Sequence, residues 1–231
     1  MPDTLQIIYE FEFKSGRKRT FPVHLDPRTI TYQPDESLAK PDWTKLAHCQ
    51  CTICPLRPEQ TPYCPIAVNL AGLVDEFQAE RSTEQVTVHV RTDERTYSRD
   101  ASLQEGLFSI LGIIMATSGC PEMNFLKPMA RFHLPFSTHE ETTIRSTSMY
   151  LLRQFFRNKA GKETDFELKK LQDLYNRVES VNEGILRRIR SQLREGDADA
   201  NAIVILNGFA QILSVELLMG LTSYEYLFSD E

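Results

Sequence analysis

Four of the five cysteines in this 231-residue chain crowd into a segment of sixteen residues, as Cys49, Cys51, Cys54 and Cys64. Their spacing is C-x-C-x2-C-x9-C, and several prolines are interspersed among them. Proline removes a backbone donor and breaks helices and central strands, so this segment is predicted to be a loop. Thiols gathered in a loop are not core residues. Four thiolates this close in sequence can surround one metal ion or one iron–sulfur cluster.

The spacing favours an iron–sulfur cluster. Cys51 and Cys54 can both bind one metal centre from a tight turn. Zinc, however, usually takes two such Cys pairs, or one Cys pair and one His pair. Here Cys49 and Cys64 would each serve singly, or His48 would replace one of them. The irons of a cluster need one thiolate each, which suits uneven spacing, and a Cys-Pro step is typical of ferredoxin ligand runs. Three cysteines of this chain precede proline, namely Cys54, Cys64 and Cys120.

We therefore expect an iron–sulfur cofactor bound by Cys49, Cys51, Cys54 and Cys64, with one zinc ion as the alternative. A dithiol switch at Cys51 and Cys54 is a further alternative, although the βαβ context of a thioredoxin-like motif is missing.

The segment 118–136, SGCPEMNFLKPMARFHLPF, is the second unusual stretch. Its apolar composition predicts that it packs inside the protein or lines a pocket. Cys120 within it is a candidate additional ligand, a replacement for Cys49, a reactive thiol or a core filler. Arg131 and His133 alternate with Phe132, so in a strand they would share a face, either as a surface pair or as an anion site.

The fold is predicted to be α+β. Alternating apolar residues over Ile7–Phe13, Phe21–Leu25 and 85–91 indicate strands, with further short strands at Thr29–Tyr32 and Thr96–Ser98. Helices are predicted over 65–80, 103–117, 139–158, 165–195 and 199–220. Capping boxes mark three starts: Ser102/Glu105, Thr138/Glu141 and Thr164/Glu167. Residues 1–100 should form a β-rich part with the cysteine loop at about 41–65, and residues 101–231 an antiparallel helical bundle, packed together as one unit.

The helix predicted over 165–195 carries an apolar seam of Leu171, Leu174, Val178, Val181 and Ile185. This seam predicts either a hairpin with the following helix or an intermolecular coil, and we favour the hairpin because the connection is short. The cations near its end complement the helix dipole. These are Arg187, Arg188, Arg190 and Arg194.

The net charge of the chain and its expected cellular compartment bear on which classes of function are possible. The net charge of −6 and the even spread of acidic residues argue against nucleic-acid binding. The start lacks the features of a signal peptide, and the apolar stretch Ala202–Leu221 is interrupted by polar residues, so we expect a cytoplasmic protein without a membrane span. In that compartment clustered cysteines bind metal more often than they form disulfides.

Three functions remain open. The first is a redox or sensing iron–sulfur protein. The second is a zinc-stapled interaction module that binds a protein partner or forms a homodimer. The third is a thiol enzyme with its pocket in the 118–136 loop, with Cys120 as nucleophile and His133 as base.

Overall fold

A four-stranded antiparallel sheet forms the N-terminal layer of the protein. A computed structural model describes residues 4–35, 37–192 and 196–229. The strands are β1 (Leu5–Phe13), β2 (Lys18–Leu25), β3 (Gln85–Arg91) and β4 (Thr96–Ser102). Their order across the sheet is β2-β1-β3-β4, so the two hairpins lie side by side with β1 and β3 at the centre.

One face of the sheet is buried, as the alternation in the sequence predicts. Ile7, Tyr9, Phe11 and Phe13 of β1 all point into the core, and their neighbours in β1 are less buried. Successive side chains of a strand point to opposite faces, so this period of two places every second residue against the helices. The predicted strand at Thr29–Tyr32 is reduced to a single bridge between Leu25 and Tyr32.

The rest of the described chain is largely helical, and the predicted α+β class is confirmed. The helices are α1 (Pro65–Phe77), α2 (Leu103–Thr117), α3 (Lys127–Arg131), α4 (His139–Lys159), α5 (Lys169–Arg190) and α6 (Ala198–Leu218). The buried side chains of the sheet and of these helices form a continuous hydrophobic core. The capping boxes predicted at the starts of α2 and α4 are present.

The start of α5 differs from the prediction. The helix begins at Lys169, after Leu168 in a left-handed conformation, and the capping box predicted for Thr164 and Glu167 is not formed. Asp165 takes over the capping role, because its carboxylate accepts the backbone N–H of Lys170 at 2.8 Å. The predicted end of this helix at 193–195 lies outside the described residues.

Helix α6 packs along α5 and α2, which matches the predicted hairpin. By length and composition alone, α6 could cross a membrane, with a mean hydropathy of 1.6 over its most apolar window. Only 28% of that window is buried in the protein, so one face of α6 packs while another stays uncovered. The uncovered face carries the exposed side chains of Val204, Ile212, Val215 and Leu218.

Candidate metal centre

Cys51 and Cys54 lie at the two ends of a tight turn. The backbone N–H of Cys54 donates to the carbonyl of Cys51 at 3.0 Å. The Gln50 side chain closes the surrounding loop by donating to the Leu56 carbonyl at 2.9 Å. The turn is therefore held by its own backbone, and both thiols leave it from fixed positions.

Cys64 is anchored where the loop enters α1. Its backbone N–H donates to the Thr44 carbonyl at 2.8 Å, and the Leu46 N–H donates to the Pro62 carbonyl at the same distance. Cys64 is the N-cap residue of α1, and Pro65 occupies the first helical position, where its missing N–H costs nothing.

Cys120 reaches the same region from the far end of α2. Gly119, with φ at +81°, turns the chain out of the helix immediately before Cys120. Burial raises the pKa of the Cys120 thiol to about 12, while the backbone amides of Glu122 and Met123 hydrogen-bond to it and act in the opposite direction. Amides directed at a sulfur stabilise a thiolate and are a common feature around cysteine ligands.

The thiols influence one another across these three segments. Burial raises the pKa of Cys51 to about 11, and the neighbouring thiols of Cys64 and Cys54 raise it further. The thiols of Cys64 and Cys51 likewise add to the raised pKa of Cys120. The thiols of Cys54 and Cys64 therefore lie near enough to affect the pKa of Cys51, and those of Cys64 and Cys51 lie near enough to affect the pKa of Cys120.

A glycine of α5, Gly184, lies against the sulfur of Cys51. A Cβ atom at Gly184 would fall far inside van der Waals contact with Cys51 Sγ. Gly184 is thus the residue that lets the backbone of α5 approach the sulfur of Cys51.

Arg188 lies one helical turn further along α5 and is completely buried. It donates to the carbonyls of Trp43, Lys45 and Leu46 at 2.9, 2.7 and 2.9 Å, and so fixes the loop beside the cysteines. Its Nε atom has no hydrogen-bond partner among the described residues. Among the described residues, no carboxylate oxygen lies within 4.0 Å of the Arg188 guanidinium. Arg187, Arg188 and Arg190 lie in the last turn of α5, as predicted, but Arg188 is buried there. Arg194 lies outside the described residues.

A buried cation without an acidic partner is costly unless another negative charge compensates it. Arg188 and Arg187 both act to lower the pKa of Cys51, which places their positive charge near that sulfur. These two cations oppose the larger effect of burial, which still leaves the pKa of Cys51 raised to about 11.

The sulfurs are more widely separated than those of a closed zinc site. Four sulfurs at about 2.3 Å from a tetrahedral zinc lie about 3.8 Å from one another. Across the described residues, no three cysteine sulfurs lie within 4.8 Å of one another.

Cys49 and His48 stand apart from these contacts. Cys49 is partly exposed with φ at +49°, and it is not among the thiols that raise the pKa of Cys51 or Cys120. The His48 ring hydrogen-bonds to Ser191 Oγ at 2.8 Å, at the end of α5. Both residues remain predicted ligands.

A family model for a domain of unknown function, DUF6901, matches residues 7–229. The chain belongs to this family. No curated protein and no solved structure matches the chain. The match spans the sheet, the cysteine loop and the helices together, so the DUF6901 domain includes every segment that contributes a thiol to the cluster.

The sheet of this DUF6901 chain carries another group of potential ligands that the sequence did not suggest. Atoms of Glu10, Glu12 and His89 lie within 4.8 Å of one another. The two carboxylates already pair with cations, because Lys18 Nζ lies 3.2 Å from Glu10 and 3.0 Å from Glu12, and Arg91 lies 3.8 Å from Glu10. The cross-strand pairing of Glu10 with His89 explains the proximity, which only the register of β1 against β3 reveals.

The 118–136 segment of the DUF6901 chain does line a cavity, as predicted. It forms a short 3-10 turn and α3 rather than a strand, so Arg131 and His133 do not share a strand face. Tyr9 Oη and His133 Nε2 are hydrogen-bonded at 2.5 Å, and burial lowers the pKa of His133 to about 3. His133 lines the cavity whereas Cys120 does not, so the geometry does not pair them as base and nucleophile.

Proposed function

We propose that this protein binds an iron–sulfur centre through Cys51, Cys54, Cys64 and Cys120, and that it acts in electron transfer or redox sensing. The observation that supports the proposal is the electrostatic influence of thiols from three separate segments on one another, beside a buried arginine that has no carboxylate partner among the described residues. The ligand set differs from the sequence expectation by exchanging Cys49 for Cys120.

The electrostatics support a negatively charged centre. A cluster held by four thiolates carries net negative charge, which would compensate the buried guanidinium of Arg188. Without a metal, burial keeps the thiols of Cys51 and Cys120 protonated, because their pKa values are raised to about 11 and about 12. Binding of the centre therefore releases protons and converts these thiols to thiolates.

The separation of the sulfurs supports iron–sulfur over zinc. One zinc ion would require the thiols to close in to about 3.8 Å of one another. A cluster binds each thiolate at a different iron and suits the wider arrangement described above. The burial of Cys64 and Cys120 favours a centre shielded from solvent on that side.

Metal analysis with an absorption spectrum on protein purified without air is the first test. Iron and sulfide with a broad visible band are expected. The decisive series replaces each cysteine by serine: Cys51→Ser, Cys54→Ser, Cys64→Ser and Cys120→Ser should each lose the band, whereas Cys49→Ser should retain it as the matched control. Protein that stays colourless and iron-free after reconstitution would refute the proposal. Loss in Cys49→Ser with retention in Cys120→Ser would instead support the ligand set expected from the sequence.

A zinc-stapled interaction module is the second candidate. The specific observation that favours it is the uncovered face of α6, since an exposed apolar surface of this kind often marks a binding site for another protein. This candidate predicts about one zinc per chain, no visible band and loss of the folded state with a strong chelator.

A further inference from the structure

A second site lies in the helical layer, independent of the cysteines. A half-open cavity of about 140 Å³ is lined by α2, α3, α4, α5 and α6 together with the segment before α4. Its walls are mostly apolar and include Phe108, Ile113, Met129, Leu134, Leu206 and Phe209. An apolar cavity of about 150 Å³ accommodates one benzene molecule. The space therefore fits a single aromatic ring.

One wall of this cavity carries a charge. Arg145 of α4 lines it, and Nη2 of its guanidinium donates to the carbonyls of Met129 and Phe132 at 3.2 and 2.6 Å. The Nε and Nη1 atoms make no hydrogen bond to the residues that the structure describes, and no described carboxylate lies within 4.0 Å of the guanidinium. Burial lowers the pKa of Arg145, and the charge of Glu141 offsets this only in part.

The other polar groups on the walls have partners. His133 is hydrogen-bonded to Tyr9 and is neutral, since burial lowers its pKa to about 3. Ser109 Oγ accepts the backbone N–H of Phe136 at 3.0 Å, and Tyr175 is hydrogen-bonded to Ser146 at 2.7 Å. Arg145 is thus a lining residue whose Nε and Nη1 atoms make no hydrogen bond to the described residues.

Arg145 lies between the apolar cavity and a more polar one, so the charged end of a ligand bound to Arg145 would face polar surroundings. The same residue lines a second cavity of about 340 Å³, whose walls carry the cations Arg95 and Arg131 and the acidic residues Asp93 and Glu94. His133 and Leu134 also line both cavities, so these residues form the partition between the apolar space and the more polar one.

We propose that this cavity binds a small aromatic monocarboxylate, with the ring among the apolar walls and the carboxylate on the free donors of Arg145. A planar guanidinium can bind a carboxylate through two parallel hydrogen bonds, which gives both charge and orientation. A benzoate-sized acid combines the volume and the charge that the site requires.

Titration calorimetry with benzoate tests the proposal, with benzamide as the neutral analogue of the same shape. Saturable binding of one benzoate per chain is expected, and benzamide should bind at least tenfold more weakly. Arg145→Gln should weaken benzoate binding about ten- to hundredfold, because a hydrogen-bonded charge pair is lost. Arg153→Gln, an exposed arginine on α4 that does not line the cavity, should bind benzoate as the wild type does.

A cavity-filling change gives an independent readout. Ala116→Leu places a larger side chain in the apolar space and should reduce benzoate binding at least tenfold while Arg145 remains in place. If Arg145→Gln fails to fold, Ala116→Leu and the benzamide comparison still decide. Absence of saturable benzoate binding to the folded wild type, or unchanged binding in both variants, would overturn the proposal. Benzoate binding does not depend on iron, so these measurements test the cavity independently of the proposed cysteine centre.

Discussion

The approach of α5 to Cys51 can be tested with one methyl group. Alanine at position 184 would place its Cβ about 1 Å or more short of ordinary contact with the Cys51 sulfur. Either α5 or the cysteine turn must move by about that distance. Bonds between a metal and its ligands vary by only about 0.2 Å, so a shift of this size should prevent Cys51 from binding the centre.

The stability change follows from two opposing terms. Replacing a helical glycine by alanine gains about 0.5–1 kcal/mol from the backbone. Overpacking costs about 1–3 kcal/mol. Gly184→Ala should therefore lower the free energy of unfolding by about 1–2 kcal/mol and also lower the iron content of the folded protein.

Two other helical glycines supply matched controls. At Gly208 nothing lies within 4 Å of an added Cβ, so Gly208→Ala should stabilise the protein by about 0.5–1 kcal/mol and keep the iron. At Gly106 the added Cβ would lie 2.8 Å from Phe11 and from Val88, so Gly106→Ala should destabilise the protein without lowering iron per folded chain.

The assay combines urea unfolding with iron and sulfide analysis on the folded fraction of each variant. Only Gly184→Ala should lose the centre. If Gly184→Ala gains stability as Gly208→Ala does and keeps its iron, the close packing of α5 on Cys51 is refuted.

Two further predictions concern buried groups with unusual surroundings. His133 has a folded pKa of about 3, below its unfolded value, so its contribution to stability is complete above about pH 6.5 and is lost as the pH falls towards 3. Allowing for its partial exposure, the free energy of unfolding should fall by about 1–2 kcal/mol between pH 6.5 and 5, and His133→Gln should lack this component in urea titrations at each pH. Arg188→Met leaves the carbonyls of Trp43, Lys45 and Leu46 without their donor and should cost about 3 kcal/mol or more. A loss below about 1 kcal/mol in urea unfolding would contradict the buried role of Arg188.

Local signals in the sequence were sufficient to predict much of the fold. Alternation placed Ile7–Phe13 on the buried face of the sheet, because a period of two leaves no other arrangement once one face is covered. The capping boxes at Ser102 and Thr138 marked helix starts correctly, since both partners lie within one turn of chain. The same motif at Thr164 failed because Asp165 offered the first turn a competing acceptor.

The candidate site depends on packing that is not local, and there the sequence was less informative. It indicated the cysteine loop but left Cys120 open, because only the path of α2 carries that residue to the loop. Arg188 did carry a signal that was missed. It follows Val181 and Ile185 at the spacing of the apolar seam on α5, so a cation at that position indicates a buried charge rather than a surface one.

The order in which the thiols occur along the chain has a consequence for biosynthesis. Cys51, Cys54 and Cys64 leave the ribosome early, but Cys120 follows only after the second hairpin and α2, and the α5 wall that carries Gly184 follows later still. A nascent chain therefore exposes these three thiols to solvent before α2 and α5, which pack near them in the folded protein, have been synthesised. On the proposed ligand set, the cofactor is inserted after translation, into a nearly finished domain, and a chain that stalls before α5 presents reactive thiols that quality control can recognise.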